Sequence, residues 1–207
     1  MSRARRPALV LASASPRRKA YFAAYFPRAS VVPSAAETPP KPGERPLSFV
    51  RRAARDKALD VAKKVPAEAT VVGADTIVVL DGEILGKPRD GADAVRMLRA
   101  LSGRTHRVVT ALYLARGARR RQVAVTTSVS FRRLEEGEIA SYVATGDAAG
   151  KAGAYGIQGL AAGFVQAIRG SYTNVVGLPL AELFRELRVL GFEPVYSPKG
   201  RNSRAGS

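Results

Sequence analysis

The chain has 207 residues, of which 46% are hydrophobic and 25% are charged, and it contains no cysteine. This composition predicts one soluble globular domain and excludes disulfides and thiolate metal sites. No apolar run approaches the roughly 18 residues of a membrane span, and no signal-peptide pattern follows the basic start, so we expect a cytoplasmic protein without a membrane partner.

The net charge of +17 would attract nucleic acid in a salt-dependent way. Six of the cations lie close to the two ends, however, and neither a nucleic-acid motif nor a stripe of aromatic residues accompanies the others. We therefore predict no stable nucleic-acid partner. Composition divides the chain into a basic extension (1–7), one domain (8–195) and a disordered tail (196–207).

A strand followed by a helix is predicted at the start of the domain. Residues 8–12 form a short apolar run suited to a buried strand. Ser15 followed by Pro16 provides an N-cap and a first-turn proline for a helix that reaches about Phe26.

The first turn of this helix carries three cations, Arg17, Arg18 and Lys19. Each lies at the positive end of the helix dipole, where an exposed cation costs about 0.3–1 kcal/mol. An anion bound by the free amide groups and by Ser13 or Ser15 would reverse the sign of this effect. The alternative is that the long side chains extend into solvent, and this segment alone does not decide between the two.

The next segment, 27–46, contains six prolines and is predicted to be a loop that carries the isolated Glu37. A helix is predicted over 47–65 from an apolar stripe at three- and four-residue steps. Lys57 falls inside this stripe and should point inward, whereas three arginines fall outside it: Arg51, Arg52 and Arg55.

A β-hairpin is predicted around Asp81-Gly82, with strands at 70–80 and 83–86. Asp75 lies within the first strand, which is strongly apolar. An ionised carboxylate there needs a cation, a metal or backbone amides as partners, or it must carry a proton.

The register of this hairpin bears on Asp75 and on Lys87, a candidate phosphate ligand. A regular ladder would place Thr76 opposite Lys87 and turn Asp75 to the other face of the sheet. The two charged residues can share a site only if the ladder ends or bulges near Gly86, as the following proline suggests.

The rest of the chain alternates between helices and strands. The predicted elements are a helix at 90–101, strands at 106–115 and 122–131, a helix at 135–144, a strand at 163–168, an extended pair at 175–176 and a helix at 180–190. The basic run 119–121 is placed in solvent at a hairpin tip. His106, the only histidine, is assigned to a sheet edge or to the surface because no nucleophile or metal-ligand spacing accompanies it.

Glycines at 150, 153, 156 and 159 predict a loop that another group can approach closely. Together with the cations, the two carboxylates and the hydroxyls before the first helix, this loop completes a set of groups that suits phosphoanhydride chemistry. Such chemistry is commonly assisted by a divalent metal ion.

Several segments together resemble the Maf family of nucleotide pyrophosphatases. They are LASASPRR, VGADTIV with DGEILGKP, LSGRTHRVVT, and KAGAYGIQG with GSYTNVVGLPL, and they occur in order between about Leu9 and Leu190. The resemblance implies an α/β fold with a mixed, largely antiparallel twisted sheet, flanking helices and two lobes around a cleft. It also implies hydrolysis of nucleoside triphosphates to the monophosphate and pyrophosphate with Mg²⁺ or Mn²⁺, and it suggests a homodimer.

The resemblance further implies roles for individual residues. Asp75 matches the proton acceptor, and Glu37 and Asp75 match the metal ligands. The phosphate-binding positions correspond to Ser13, Arg17, Lys57 and Lys87. The loop departs from many family members at Ala36, where they have aspartate.

Three positions indicate the branch that acts on dTTP and UTP: Arg17, Thr76 and Gln158. The branch acting on 7-methyl-GTP would have Trp, Gln and Glu there. One glutamine amide can accept from N3–H and donate to O4 of uracil or thymine, whereas glutamate cannot donate. By family analogy the protein would remove non-standard pyrimidine nucleotides; the alternative is a basic nucleic-acid-binding or division-regulating protein with a vestigial nucleotide site.

Overall fold

The computed structural model describes residues 8–196, so the predicted basic extension and all but the first residue of the predicted tail lie outside the described range. Within it the chain forms seven strands and six α-helices. The strands are β1 (Leu9–Ala12), β2 (Ser30–Val31), β3 (Thr70–Leu80), β4 (Glu83–Leu85), β5 (Thr105–Arg116), β6 (Arg119–Phe131) and β7 (Val165–Arg169). The helices are α1 (Pro16–Tyr25), α2 (Pro46–Ala62), α3 (Gly91–Leu101), α4 (Glu136–Ala144), α5 (Tyr172–Val176) and α6 (Leu180–Val189).

All seven strands belong to one sheet. Its order is β2-β1-β3-β5-β6-β7, and β4 pairs separately with β3. The pairs of β1 with β2 and with β3 are parallel, and the other pairs are antiparallel. The predicted mixed, largely antiparallel sheet with flanking helices is therefore confirmed.

One edge of β3 is interrupted, and this interruption positions the site. β5 pairs with β3 continuously from Val71 to Val79. On the opposite edge β1 pairs with 70–73 and β4 pairs with 78–80, so residues 74–77 have no strand partner there. We call these four residues the open edge of β3.

Helix α2 packs directly on the backbone of β3 at Gly73. A Cβ atom at this glycine would lie 2.3 Å from the carbonyl oxygen of Ala54 and 2.7 Å from the Cβ of Ala58. The helix can therefore approach the sheet more closely than a side chain would allow. Because strand side chains alternate between faces, Asp75 lies on this same α2 face.

The other face of β3 packs against α1 and α6. Val72 and Ala74 share a core cluster with Phe22 of α1 and Leu183 of α6. Thr76 belongs to this face by alternation. Neighbouring residues of the open edge thus face different helices.

Two of the sequence predictions about local structure are wrong. Val175-Val176 is not extended but ends helix α5, which Ser171 caps by accepting a hydrogen bond from the Asn174 amide at 3.2 Å. Gly177 closes the helix with a φ of 111°. The predicted hairpin tip at 119–121 is also misplaced, because the turn lies at residues 117–118 and the arginines, although exposed as predicted, belong to β6.

Smaller differences concern element ends. Helix α2 ends at Ala62 rather than near 65, and β7 begins at Val165 because the preceding residues, Leu160–Phe164, form a 3₁₀ turn. Among residues 8–196, no helix combines the length and apolarity needed to cross a lipid bilayer.

His106 is buried, with 1% of its surface exposed, so its assignment to a sheet edge or the surface is wrong. It lies on β5, an interior strand paired on both sides. Its ring packs edge-on against Phe131 and Tyr155, with centroids 5.0 and 5.4 Å away. Its Nε2 lies 2.7 Å from the Tyr155 hydroxyl. Burial lowers the pKa of His106 from 6.5 to about 4.

We predict that the free energy of unfolding decreases as the pH falls from 7 to 5. The unfolded chain protonates its histidine near pH 6.5, but the folded protein does not do so until about pH 4. Stability from the neutral ring is therefore complete above pH 6.5, and roughly 2 kcal/mol of it is lost by pH 5. Urea denaturation at pH 7, 6 and 5 measures this loss.

The control is His106→Gln, which keeps a hydrogen-bonding side chain beside Tyr155 but does not titrate. Because the sequence has no other histidine, the free energy of unfolding of the variant should change little between pH 7 and 5. Carboxylates such as Asp60 and Asp93, whose pKa values are lowered to about 2, lose their contributions at lower pH. Equal pH dependence of the two proteins would contradict the prediction.

Candidate active site

A cleft of about 1050 Å³ opens at the open edge of β3. It lies between the start of α1, the loop before α2 and the glycine-rich loop after α4. Seven of the eight predicted site residues line it: Ser13, Arg17, Glu37, Lys57, Asp75, Thr76 and Lys87. The fold therefore brings together residues that lie far apart in the sequence.

The N-terminus of α1 borders this cleft. Ser13 is buried, and its Oγ accepts a hydrogen bond from the Ser15 amide at 3.2 Å. Ser15 is the N-cap, as predicted, and Pro16 occupies the first turn. Arg17 lines the cleft, so this cation lies where an anion at the helix N-terminus would be bound.

Arg18 turns toward the sheet instead and forms three hydrogen bonds. Its guanidinium donates to the carbonyl of Gly177 at 2.8 Å, to the carbonyl of Ala74 at 2.9 Å and to Oγ1 of Thr76 at 2.8 Å. Two of these acceptors belong to the open edge. Burial lowers the pKa of Arg18, and the charge of nearby Asp75 opposes this effect. The sequence analysis did not separate Arg18 from its neighbours.

The carboxylate of Asp75 has the partner that its position requires. Lys57 Nζ forms an ion pair with Asp75 Oδ1, and the two side chains are 27% and 15% exposed. The predicted inward direction of Lys57 is thereby confirmed. Asp75 lines the cleft, and its Oδ2 forms no hydrogen bond within residues 8–196, so the acceptor capacity of this oxygen is unused.

The loop that carries Glu37 is fixed to α2 on both sides of this residue. Asp60 accepts from the Ser34 hydroxyl and the Ala35 amide, each at 2.9 Å, and Asp56 accepts from the Thr38 hydroxyl at 3.2 Å. A hydrogen bond from the Lys64 ammonium, followed by the bonds from Ser34 and Ala35, lowers the pKa of Asp60 to about 2. The sequence analysis missed both anchoring aspartates, whose helical spacing of four residues was the available signal.

The ladder between β3 and β4 ends where a shared site requires it. The last pair joins Val78 to Leu85, and the carbonyl of Gly86 accepts instead from the amide of Gly153 at 3.0 Å. The predicted end of the ladder near Gly86 is confirmed. Lys87 therefore lies beyond the paired part of the hairpin and is not held opposite Thr76, the arrangement that would have separated it from Asp75.

Gln158 is the exception among the predicted site residues. It lies in an adjoining groove of about 680 Å³, lined by residues that include Asp147 and Lys151. Lys151 also lines the main cleft and pairs with Asp147 at 2.7 Å. The groove therefore meets the cleft at this lysine, a residue that the sequence analysis did not select.

The acidic residues of the cleft are compatible with a metal ion that takes ligands from a substrate. Glu37 and Asp75 both line it, but residues 8–196 contain no group of three or more His, Cys, Asp or Glu side chains placed to hold a metal. Mg²⁺ at nucleotide sites is commonly held by one or two carboxylates together with phosphate and water oxygens. The two carboxylates and the unused Oδ2 fit that pattern.

Comparison with known proteins establishes the family. A family model described as "Maf-like protein" matches residues 8–190. The chain belongs to the Maf family. A "dTTP/UTP pyrophosphatase" of Geobacter metallireducens is 51% identical over 185 residues, which cover 88% of this Maf chain and 96% of the relative. One from Bordetella parapertussis is 46% identical over 194 residues, covering 89% and 93%.

A solved structure was also compared with this Maf protein. The nucleoside-triphosphatase, or dITP/XTP pyrophosphatase, of Mycobacterium abscessus has 19% identity and a TM-score of 0.48, covering 88% of this chain and 97% of that chain. The similarity is too weak to bear on activity. The family assignment from the six sequence segments is confirmed by the family match and the curated relatives.

We predict that Arg18→Met lowers the free energy of unfolding by about 2–4 kcal/mol. The substitution keeps an unbranched side chain but leaves two carbonyls and one hydroxyl without their donor. Urea denaturation at pH 7 measures the change.

Lys19→Met provides a matched control in the same helix. Lys19 forms no side-chain hydrogen bond within residues 8–196, so its replacement should change stability by less than about 0.5 kcal/mol. If both variants lose the same stability, the three bonds of Arg18 do not hold the open edge.

Proposed function

We propose that this Maf protein hydrolyses dTTP and UTP to the nucleoside monophosphate and pyrophosphate. The observation that carries the proposal is the pairing of Asp75 with Lys57 beside the N-terminus of α1, at the wall of a large cleft. A carboxylate next to several cations suits attack on a polyphosphate. The names of curated relatives that are 46–52% identical support the substrate class.

Asp75 acts as the general base in this proposal. A water molecule attacks the α-phosphorus, and Asp75 accepts a proton from it through the carboxylate oxygen that Lys57 leaves free. The new phosphorus–oxygen bond forms as the bond from the α-phosphorus to the bridging oxygen breaks. Pyrophosphate leaves with that electron pair.

The cations hold the triphosphate for this attack. Arg17, Lys57 and Lys87 border the cleft, and buried Ser13 lies just before the N-terminus of α1. Arginine suits a bidentate contact with phosphate, whereas lysine acts as a point charge. The helix N-terminus adds amide donors and the positive end of its dipole.

Glu37 and Asp75 would hold a Mg²⁺ or Mn²⁺ ion. When bound, such an ion neutralises negative charge on phosphate oxygens. The anchoring of the Glu37 loop by Asp56 and Asp60 supports this assignment, because it restricts the positions that Glu37 can take.

Arg17, Thr76 and Gln158 determine the nucleotide in this proposal. The groove with Gln158 adjoins the cleft through Lys151, so a nucleotide could place its phosphates in the cleft and its base toward the groove. The amide of Gln158 matches the N3–H and O4 pattern of uracil and thymine. The alternative of a basic nucleic-acid-binding or division-regulating protein is not favoured by the curated relatives, which are named as pyrophosphatases.

We predict that Asp75→Asn lowers kcat for pyrophosphate release from UTP and dTTP by at least about 100-fold, because the amide cannot accept the proton. The measurement is pyrophosphate release from a panel of triphosphates with and without Mg²⁺ or Mn²⁺. Thermal denaturation checks that the variant folds.

Asp81→Asn is the matched control for this experiment. Asp81 lies in the turn after β3, is exposed and has a φ of 51°, which asparagine tolerates. Its replacement should leave turnover within about twofold. Near-normal turnover by a folded Asp75→Asn protein would remove Asp75 from the role of base.

We predict that Gln158→Glu lowers kcat/KM for UTP and dTTP at least about tenfold, because the amide donor to O4 is lost and a charge is introduced. Gln166→Glu, an exposed change on β7 outside the cleft and groove, is the control and should have little effect. An unchanged preference among triphosphates in Gln158→Glu would contradict the assignment.

A further inference from the structure

A chain of hydrogen bonds runs from the cleft wall into the core behind Thr76. Arg18 donates to Oγ1 of Thr76 at 2.8 Å, and this oxygen lies 2.9 Å from Oγ1 of Thr110. Thr110 in turn donates to the main-chain carbonyl of Asn174 at 3.0 Å. Thr76 lines the cleft, whereas Thr110 lies behind it and is completely buried.

The direction of these bonds follows from the number of hydrogens. A hydroxyl group has one hydrogen, and the carbonyl of Asn174 can only accept. Thr110 therefore donates its hydrogen to that carbonyl. A guanidinium can only donate, so Thr76 cannot give its hydrogen to Arg18. In the contact between the two threonines, Thr76 is therefore the donor. One lone pair on Oγ1 of Thr76 remains unused.

The groups at the inner end of the chain are held rigidly. Thr110 is the direct cross-strand partner of Thr76 between β5 and β3. The side-chain amide of Asn174, which is also buried, donates to the carbonyl of Val108 at 3.0 Å and to Oγ1 of Thr127 at 2.9 Å. Thr110 is completely buried, so water cannot replace any of these hydrogen-bond partners. The direction of the hydrogen bonds is therefore fixed.

We infer that Thr110 is a positioning residue for nucleotide recognition, because it takes the hydroxyl hydrogen of Thr76 and leaves Thr76 only a lone pair and a methyl group to present to the cleft. The inference rests on the proposed function and deepens it. Thr76 can then bind a hydrogen-bond donor or a carbon of the nucleotide. It cannot donate to ionised phosphate oxygens or to the pyrimidine carbonyls.

Two hydrogen-bond donors are shared by UTP and dTTP. They are N3–H of the base and the 3′-hydroxyl of the sugar. CTP lacks the first because its N3 is an acceptor, and 3′-deoxyuridine triphosphate lacks the second. Comparing these two nucleotides with UTP shows which group donates the hydrogen bond to Thr76.

The first experiment compares Thr110→Val with Thr110→Ser. Valine has nearly the shape of threonine but cannot receive the hydrogen of Thr76, whereas serine can. We expect Thr110→Val to raise KM for UTP about fivefold with kcat within twofold, and Thr110→Ser to keep both constants within twofold of the wild type. A folded Thr110→Val protein with an unchanged KM, or equal effects of the two variants, would overturn the inference.

The second experiment uses Thr76→Val and does not depend on the folding of the first variant. Loss of the lone pair should lower kcat/KM for UTP about fivefold or more. If N3–H is the donor, kcat/KM for 3′-deoxyuridine triphosphate falls equally and that for CTP is unchanged. If the 3′-hydroxyl is the donor, kcat/KM for CTP falls and that for the 3′-deoxy nucleotide is unchanged. Equal losses for all three nucleotides, or no loss for UTP, would overturn the inference.

Wild-type protein provides the reference that separates the two proposals. If it releases no pyrophosphate from any triphosphate, the proposed function is wrong and the inference is wrong with it. If it hydrolyses UTP and the variants behave like the wild type, only the inference is wrong.

Discussion

A strand edge without a neighbouring strand must find other partners for its polar groups, and the cleft of this protein is built on that requirement. Residues 74–77 of β3 lie between the last pair with β1 and the first pair with β4. Arg18 supplies a donor to the carbonyl of Ala74, and Lys57 supplies a cation to Asp75. The sheet therefore stays intact while its edge remains accessible to a ligand.

The alternation of side chains along β3 places the charged and the hydroxyl groups of the site on opposite faces of the sheet. Asp75 faces α2, which carries the ion-pair partner and the two aspartates that hold the Glu37 loop. Thr76 faces the side of α1, where its hydroxyl joins the chain of hydrogen bonds from Arg18 to Thr110. The close approach of α2 to Gly73 holds this helix, which carries Lys57, near Asp75 on the same face of the strand.

Repeating patterns in the sequence were enough to predict much of this arrangement. The helical period of α2 predicted an inward Lys57, and the apolar setting of Asp75 predicted a partner for its charge. Arg18 could not be distinguished from adjacent Arg17 and Lys19, because its acceptors lie on β3 and at Gly177, far away in the sequence. Likewise, His106 is buried because Phe131 and Tyr155, which lie far away in the sequence, pack against its ring.

The isolated imidazole of His106 makes the protein unusually easy to observe by proton NMR. A chain with one histidine gives one pair of ring C–H resonances, which need neither isotope labelling nor assignment by mutation. The ring contacts the Tyr155 hydroxyl at 2.7 Å, and Tyr155 also lines the cleft. A ligand that moves this tyrosine would therefore change the resonances of a single histidine inside the core.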